Sequence, residues 1–292
     1  MSRLFLGLPA PAKLNLFLHV TGRRPDGYHE LQSLMVPITL ADTLDFELRD
    51  DGRITRAGDV VGAIDNDLCL RAALLLRQES GTTLGVDIAV EKHIPAGSGM
   101  GGGSSDAATT LVALNRLWRL GWPRDRLAAL GLRLGADVPF FLGAGPALAE
   151  GVGERLTPEP WPASWFAVIH PQVSVSTAEI FSAPELTRST KALTIADFSA
   201  LRDNAGWAEA SPAARLYGVN DLEPVARRRY AAVEAAIVHL ARFGPARMTG
   251  SGSAVFALLP SEGAAQEAVR ELPAGWQGWA VRSLTEHPLA GW

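Results

Sequence analysis

The sequence predicts an α+β protein in two domains, on three observations. A strand pattern runs through a glycine-rich loop into an amphipathic helix. Strand and helix patterns alternate on either side of a proline-rich stretch. The second half then reads strand, helices, a pair of strands, helix, strand, the order of a split βαβ unit. At 292 residues the chain is long for one core and comfortable for two. The boundary is placed at Pro158, Pro160 and Pro162, giving residues 1–158 and 159–292.

Taken in order, the first strand is expected from about Ala12 to Thr21. Leu14, Leu16, Leu18 and Val20 fall on one face, and Lys13, Asn15, Phe17 and His19 on the other. A lysine and an asparagine opposite an apolar row are either solvated or part of a polar site. Pro25-Asp-Gly27 turns the chain, so that Tyr28 and His29 open a second strand, where they serve packing or binding. Thr43 to Leu48 and Arg53 to Arg56 read as a hairpin joined by Asp50-Asp-Gly52. A helix starts at Asp67 and contains the single cysteine, Cys69, which excludes an internal disulfide and is read as a small buried thiol.

Val86, Ile88 and Val90 alternate with polar or small residues as a half-buried strand does, and lead into Pro95 to Ala108, a stretch with five glycines. So many glycines together require positive φ or close backbone approach, and the natural guest is a phosphate held by successive N–H groups. Ser104, Ser105 or Asp106 can cap the helix that follows, in which Ala107, Leu111, Leu114 and Trp118 form one buried stripe. Gly97, Gly99 and Gly102 fit the dinucleotide fingerprint, yet a second helix begins after Pro123 where that fold requires a strand and an acidic residue. No Gly-Lys pair exists for a Walker loop, and the His-Arg-Asp and Asp-Phe-Gly motifs of protein kinases are absent.

Leu127, Leu130 and Leu134 mark the second helix, and Asp137 follows it at a sharp exit before Pro139, as a turn residue, a cap or a functional acid. Residues 143–153 look turn-rich. Beyond the boundary come a strand over Trp165 to His170, a capping box at Ser176 and Glu179, and one long helix from about Pro224 to Arg242. Strands near 246–249 and 254–258, a helix over 261–272 and a strand over 278–284 complete the chain. Gly250-Ser-Gly252 either reverses the hairpin or forms a second polar loop over a cleft.

Lys and Arg total 27 against 31 Asp and Glu, a balance that disfavours a polyanionic partner such as nucleic acid but leaves room for a local phosphate nest. No stretch of 18 apolar residues and no cleavable leader pattern is seen, so the protein is expected in the cytoplasm, away from membranes.

Pro95 to Ala108 resembles the phosphate-binding motif of the GHMP kinases, which include galactokinase, homoserine kinase and mevalonate kinase. With it, Pro11-Ala-Lys-Leu-Asn-Leu-Phe-Leu18, Arg24-Pro-Asp-Gly-Tyr-His-Glu-Leu31, Gly135-Ala-Asp-Val-Pro-Phe-Phe141 and Thr249-Gly-Ser-Gly-Ser253 look like the branch that phosphorylates a cytidine diphosphate-linked sugar alcohol in non-mevalonate isoprenoid synthesis. The resemblance implies a two-domain GHMP kinase fold, with a ribosomal protein S5 domain 2-like first domain and a ferredoxin-like second one. It implies ATP and Mg²⁺, small-molecule partners only, and a monomer or weak homodimer.

By the same resemblance Lys13 and Asp137 are the catalytic pair. Pro95, Ala96, Gly97, Ser98, Gly99, Met100, Gly101, Gly102, Gly103, Ser104, Ser105 and Asp106 hold ATP, with Lys92 and either Asn66 or Asp67 on the adenine side. Ser104, Ser105 and Asp106 are the nearest oxygens for the metal or its water. Tyr28 and Phe181 are placed on the cytosine faces, His29 on the base edge, and Asn15 near the alcohol. Thr177 either touches the acceptor's diphosphate or caps its helix. Another small alcohol, or an RNA-binding module built on the first domain's topology, are the rival expectations.

Overall fold

In the computed structural model, which describes residues 3–194 and 211–292, the chain starts as a long antiparallel hairpin of β1 (Leu4–Arg23) and β2 (His29–Arg49). Its turn is the expected Pro-Asp-Gly, with Gly27 at φ +91° and Asp26 Oδ1 accepting the N–H of Tyr28. The other edge of β2 is shared, since β4 (Gly85–Glu91) pairs with 43–49 and β5 (Ala147–Gly151) with 31–35. Outside these lie β3 (Ile54–Gly58) and β6 (Arg155–Pro158).

The hairpin expected between 43–48 and 53–56 does not form, because β4 occupies that edge of β2. Asp51 binds both Arg49 and Arg53 and shapes the intervening turn, and β3 then runs parallel to β4 on its far side. The expected turn-rich stretch 143–153 contains β5.

Helices α1 (Leu68–Ser80), α2 (Gly102–Leu117), α3 (Arg124–Leu132) and α4 (Val138–Leu142) cover this sheet. The stripe Ala107, Leu111, Leu114 and Trp118 is buried as its spacing predicts, and Cys69 is buried in the same core, which pushes its thiol pKa up. Asp67 caps α1 through Leu70 N–H.

The second sheet has β7 (Trp165–His170), β8 (Ala246–Met248), β9 (Val255–Leu259) and β10 (Gln277–Arg282) in the spatial order β10-β7-β9-β8, all antiparallel. The helical segments here are α5 (Thr177–Ser182), α6 (Pro212–Arg215), α7 (Glu223–Arg229), α8 (Ala231–Leu240) and α9 (Glu262–Ala268). The single helix expected over 224–242 is therefore two, broken at Tyr230, whose φ of −125° and ψ of 93° are extended. Both side chains at the break are tied to the segment around α5: the Tyr230 hydroxyl donates to Glu179 Oε2 at 2.8 Å, and Arg229 bridges Glu179 and Glu185.

The division between residues 158 and 159 separates the strands of the first sheet from those of the second, but β1 serves both. Ala12, Leu14, Leu16, Phe17, Val36 and Ile38 pack on Phe166, Val168, Phe256, Leu258 and Val281. The polar face expected for β1 is therefore buried as well. A fully buried side chain of this size contributes about 1.5–3 kcal/mol. The seam thus offsets the cost of removing Lys13 and Asn15, each 3% exposed, from water.

Candidate active site

Helix α2 begins earlier than its expected caps. Gly101, at φ +75°, takes the N-cap position with no side-chain bond, and Gly102, Gly103 and Ser104 form the first turn. Ser104, Ser105 and Asp106 are thus inside the helix, and the first-turn N–H groups have no carbonyl of the same helix to donate to, an arrangement suited to an anion. A Cβ on Gly101 would lie 3.0 Å from the Phe141 ring and 3.3 Å from Lys13 Cγ, so glycine is needed there both for its conformation and for space.

The loop is wired to the strand that carries the candidate catalytic lysine, since Lys13 N–H donates to Met100 O at 2.9 Å. Met100 itself is fully buried under the loop rather than lining it. On the other side the Thr249–Gly252 loop meets it backbone to backbone: Ala254 N–H donates to Ser98 O, and a Cβ on Gly99 would fall 2.3 Å from Thr249 O.

Two cavities open on this junction. The first, of about 380 Å³, is lined by Pro95, Ala96, Gly97, Ser98, Gly99, Gly101, Gly102, Gly103, Ser104 and Asp106, together with Asn66, Asp67 and Lys92. The second, of about 400 Å³, is lined by Lys13, Asn15, Asp137, Thr177, Phe181 and the Gly250–Gly252 turn. Gly97, Gly99, Gly101 and Ser104 belong to both walls. Gly250-Ser-Gly252 therefore faces a cleft as well as reversing the chain.

Lys13 Nζ lies 4.0 Å from Asp137 Oδ2 and donates to Asn15 Oδ1. Burial pushes the Lys13 pKa below its ordinary value against the pull of Asp137. Asp137 precedes α4 without making a side-chain capping bond, so its carboxylate, 39% exposed, faces the cavity. Asn15 is less free than expected. Its Nδ2 donates to Ser33 Oγ and its Oδ1 accepts from Lys13 and from Thr249 Oγ1, so it orients the lysine.

On the nucleotide side, Asp67 caps α1 and pairs with Arg56, which leaves Asn66 as the carboxamide at the cavity wall. Lys92 is clamped by Asp106 and by Asp42, and these carboxylates outweigh its burial and raise its pKa. Burial, reinforced by Asp42 and opposed by Lys92, pushes the Asp106 carboxyl up to about 7. Asp106 Oδ1 and Ser105 Oγ are buried without hydrogen-bond partners. Among the described residues no cluster of three His, Cys, Asp or Glu could hold a metal. Asp106 lines the cavity whereas Ser105 is fully buried behind it, and a carboxylate oxygen beside a phosphate cradle fits Mg²⁺, which keeps most of its shell as water and substrate phosphate.

On the acceptor side Ser176 caps α5, leaving Thr177 Oγ1 to pair with Ser251 Oγ at 2.7 Å. Phe181 lines the cavity and faces His29 with ring centroids 5.0 Å apart, whereas neither His29 nor Tyr28, the latter 66% exposed, belongs to the cavity wall. The structure thus brings together His29 and Phe181 but not Tyr28.

Several residues escaped the sequence reading. Asp42 is fully buried, accepts from His93 N–H and Ile94 N–H, and so pins the entrance of the glycine loop as well as Lys92. Its sequence signal was an acid in the buried register of Leu40 and Leu44. Asn220 Nδ2 donates to both Met248 O and Gly250 O, while Asp221 Oδ2 accepts from Val20 N–H, strapping the second glycine turn to β1. Arg247 donates to the carbonyls of Leu16, Leu216, Tyr217 and Gly218, and burial lowers its pKa to about 10.

The sequence matches the GHMP kinases N terminal domain over residues 67–145 and the GHMP kinases C terminal domain over 194–278. A 4-diphosphocytidyl-2-C-methyl-D-erythritol kinase of Burkholderia mallei is 52% identical over 96% of this chain and 94% of its own. The chain belongs to the 4-diphosphocytidyl-2-C-methyl-D-erythritol kinase family of the GHMP kinases. A crystal structure of 4-(cytidine 5'-diphospho)-2C-methyl-D-erythritol kinase superposes on this kinase with a TM-score of 0.80 at 36% identity, covering 96% of this chain and 98% of the other. Homoserine kinase from Cytophaga hutchinsonii, at 18% identity, TM-score 0.71, and 98% and 96% coverage, shares the fold alone. Among the described residues no helix is long and apolar enough to cross a membrane.

Proposed function

We propose that this kinase transfers the γ-phosphoryl group of ATP to the 2-hydroxyl of 4-diphosphocytidyl-2-C-methyl-D-erythritol, a step of non-mevalonate isoprenoid precursor synthesis. The observation that carries the reading is the shared wall of Gly97, Gly99, Gly101 and Ser104. A triphosphate cradled in the first cavity would point its end into the second, where Lys13 and Asp137 stand. Phosphoryl transfer demands alignment and charge stabilisation more than covalent chemistry from the protein.

In this reading Asp137 accepts the proton of the attacking hydroxyl, and the nearby Lys13 ammonium stabilises the developing alkoxide. Burial disfavours the charge on Lys13, and an entering phosphate anion favours it again. The first-turn N–H groups of α2 hold phosphate oxygens. Mg²⁺, held by Ser104, Ser105 or Asp106 directly or through water, supplies charge neutralisation at those oxygens when bound. The cytidine end lies against Phe181 and His29, with Tyr28 turning inward to cover its second face, and Asn66 meets adenine.

A coupled assay of ADP release with 4-diphosphocytidyl-2-C-methyl-D-erythritol, homoserine and mevalonate, with the product's phosphate located by ³¹P NMR, tests this. Acceptor-dependent turnover with the cytidyl compound alone is expected. Turnover with either small alcohol at comparable kcat/KM would overturn the acceptor assignment.

A further inference from the structure

Arg188 is anchored to backbone around the end of α5. Its Nη2 donates to Phe181 O at 3.0 Å and Ala183 O at 2.7 Å, and its Nη1 to Leu186 O at 3.1 Å. Its Nε donates to His29 Nε2 at 3.1 Å. A guanidinium is always protonated and accepts nothing, so His29 Nε2 must be the nitrogen with the lone pair. The proton of the neutral ring then sits on Nδ1. Burial first, then the cations Arg188 and Arg23, disfavour the imidazolium and keep the ring neutral. His29 in turn lies against Phe181, whose ring lines the acceptor cavity.

We infer that Arg188 is a positioning residue that determines base specificity: by holding His29 Nε2 as an acceptor it presents Nδ1–H as a fixed donor to the base edge. Cytosine offers an unprotonated N3 there, whereas uracil offers N3–H, which would leave two N–H groups opposed and unpaired. Without the guanidinium both neutral tautomers become accessible, and uracil finds an acceptor. The inference rests on the reading that the acceptor's pyrimidine meets His29, and it adds what enforces the choice of base.

Two measurements on the full chain test it. Long-range ¹H–¹⁵N correlation spectra of the ligand-free protein at pH 7.5 should show His29 protonated at Nδ1. Titrations with cytidine 5'-diphosphate and uridine 5'-diphosphate should favour cytidine by about tenfold or more, the scale of one unpaired buried donor. Arg188→Met should bring the two affinities to within about threefold with the ATP KM unchanged, a readout that a merely structural role would not move selectively. Arg188→Lys, which keeps a donor, should restore part of the preference.

A wild-type His29 protonated at Nε2 overturns the tautomer lock whichever base binds, and needs no variant to fold. Nδ1 protonation without preference for cytidine overturns instead the placement of the pyrimidine at His29, and the specificity role with it. An undiminished preference in folded Arg188→Met removes Arg188 from specificity.

Discussion

Lys13 Nζ and Asp137 Oδ2 stand 4.0 Å apart across the mouth of the glycine loop, the lysine buried and the carboxylate partly in solvent. The carboxylate opposes the effect of burial on the lysine, and both groups line the cavity where an alcohol would meet the terminal phosphate. Asp137→Asn and Lys13→Ala are each expected to lower kcat by about 10²- to 10⁴-fold while nucleotide still binds, the contribution of a positioned proton acceptor and its electrostatic partner. Steady-state kinetics alongside nucleotide titration checks this, and near-normal turnover in either variant removes that residue from the mechanism.

The two glycine loops interlock at Gly99, whose φ of +78° other residues rarely adopt and where a Cβ would sit 2.3 Å from Thr249 O. Gly99→Ala must push the loops apart or unfold the turn. It should cost about 1–3 kcal/mol of stability and impair both substrates together. Unchanged KM for ATP and acceptor in a folded Gly99→Ala protein would show that the contact does not shape either cavity.

Phe181 lines the acceptor cavity and is absent from the wall of the nucleotide cavity. Removing a base-stacking ring costs about 1–3 kcal/mol, so Phe181→Ala should raise the acceptor KM by about 5- to 150-fold. The ATP KM should change little. The opposite ranking would mean that the two cavities have been assigned the wrong way round.

What the sequence disclosed follows from how local each feature is. The glycine loop, the stripe from Ala107 to Trp118 and the start of a helix at Asp67 are written in neighbouring residues, and the motifs around Lys13 and Asp137 are compact enough to read as such. Asp42 and Asn220 act through backbone groups far along the chain, and Arg188, though anchored locally, meets a side chain at the far end of the β1–β2 turn, so nothing in their own neighbourhoods declares these contacts. The same holds for β3, whose partner was decided by which strand already occupied β2. It holds for Tyr230 too, which breaks a well-patterned helix where its hydroxyl and Arg229 reach toward α5.

Asn220 lies outside both cavity walls. Its Nδ2 serves the carbonyls of Met248 and Gly250 at 2.8 Å each, so Asn220→Ala leaves two acceptors without this donor. A loss of about 1–3 kcal/mol is expected, seen as a lower denaturation midpoint. Because Gly250 belongs to the acceptor wall, the acceptor KM should rise more than that of ATP. A variant with wild-type kinetics and stability would show that the strap does not position the second turn.

His287 carries the last expectation, for stability against pH. Burial, with Arg124 nearby, depresses its pKa to about 4, and its Nδ1 accepts from Leu289 N–H. The folded state therefore prefers the neutral ring, while the unfolded chain takes up a proton near pH 6.5. Between these values the unfolded state binds more protons, so stability falls as pH drops from about 6.5 to 4 and is fully present above that window. The interval corresponds to about 3 kcal/mol, which carboxylate titrations overlay. Comparing urea midpoints of the wild type and His287→Gln at pH 7.5 and 4.5 isolates it: the variant should lose less stability over that interval. An equal loss in both would mean that the imidazole charges without cost in the folded protein.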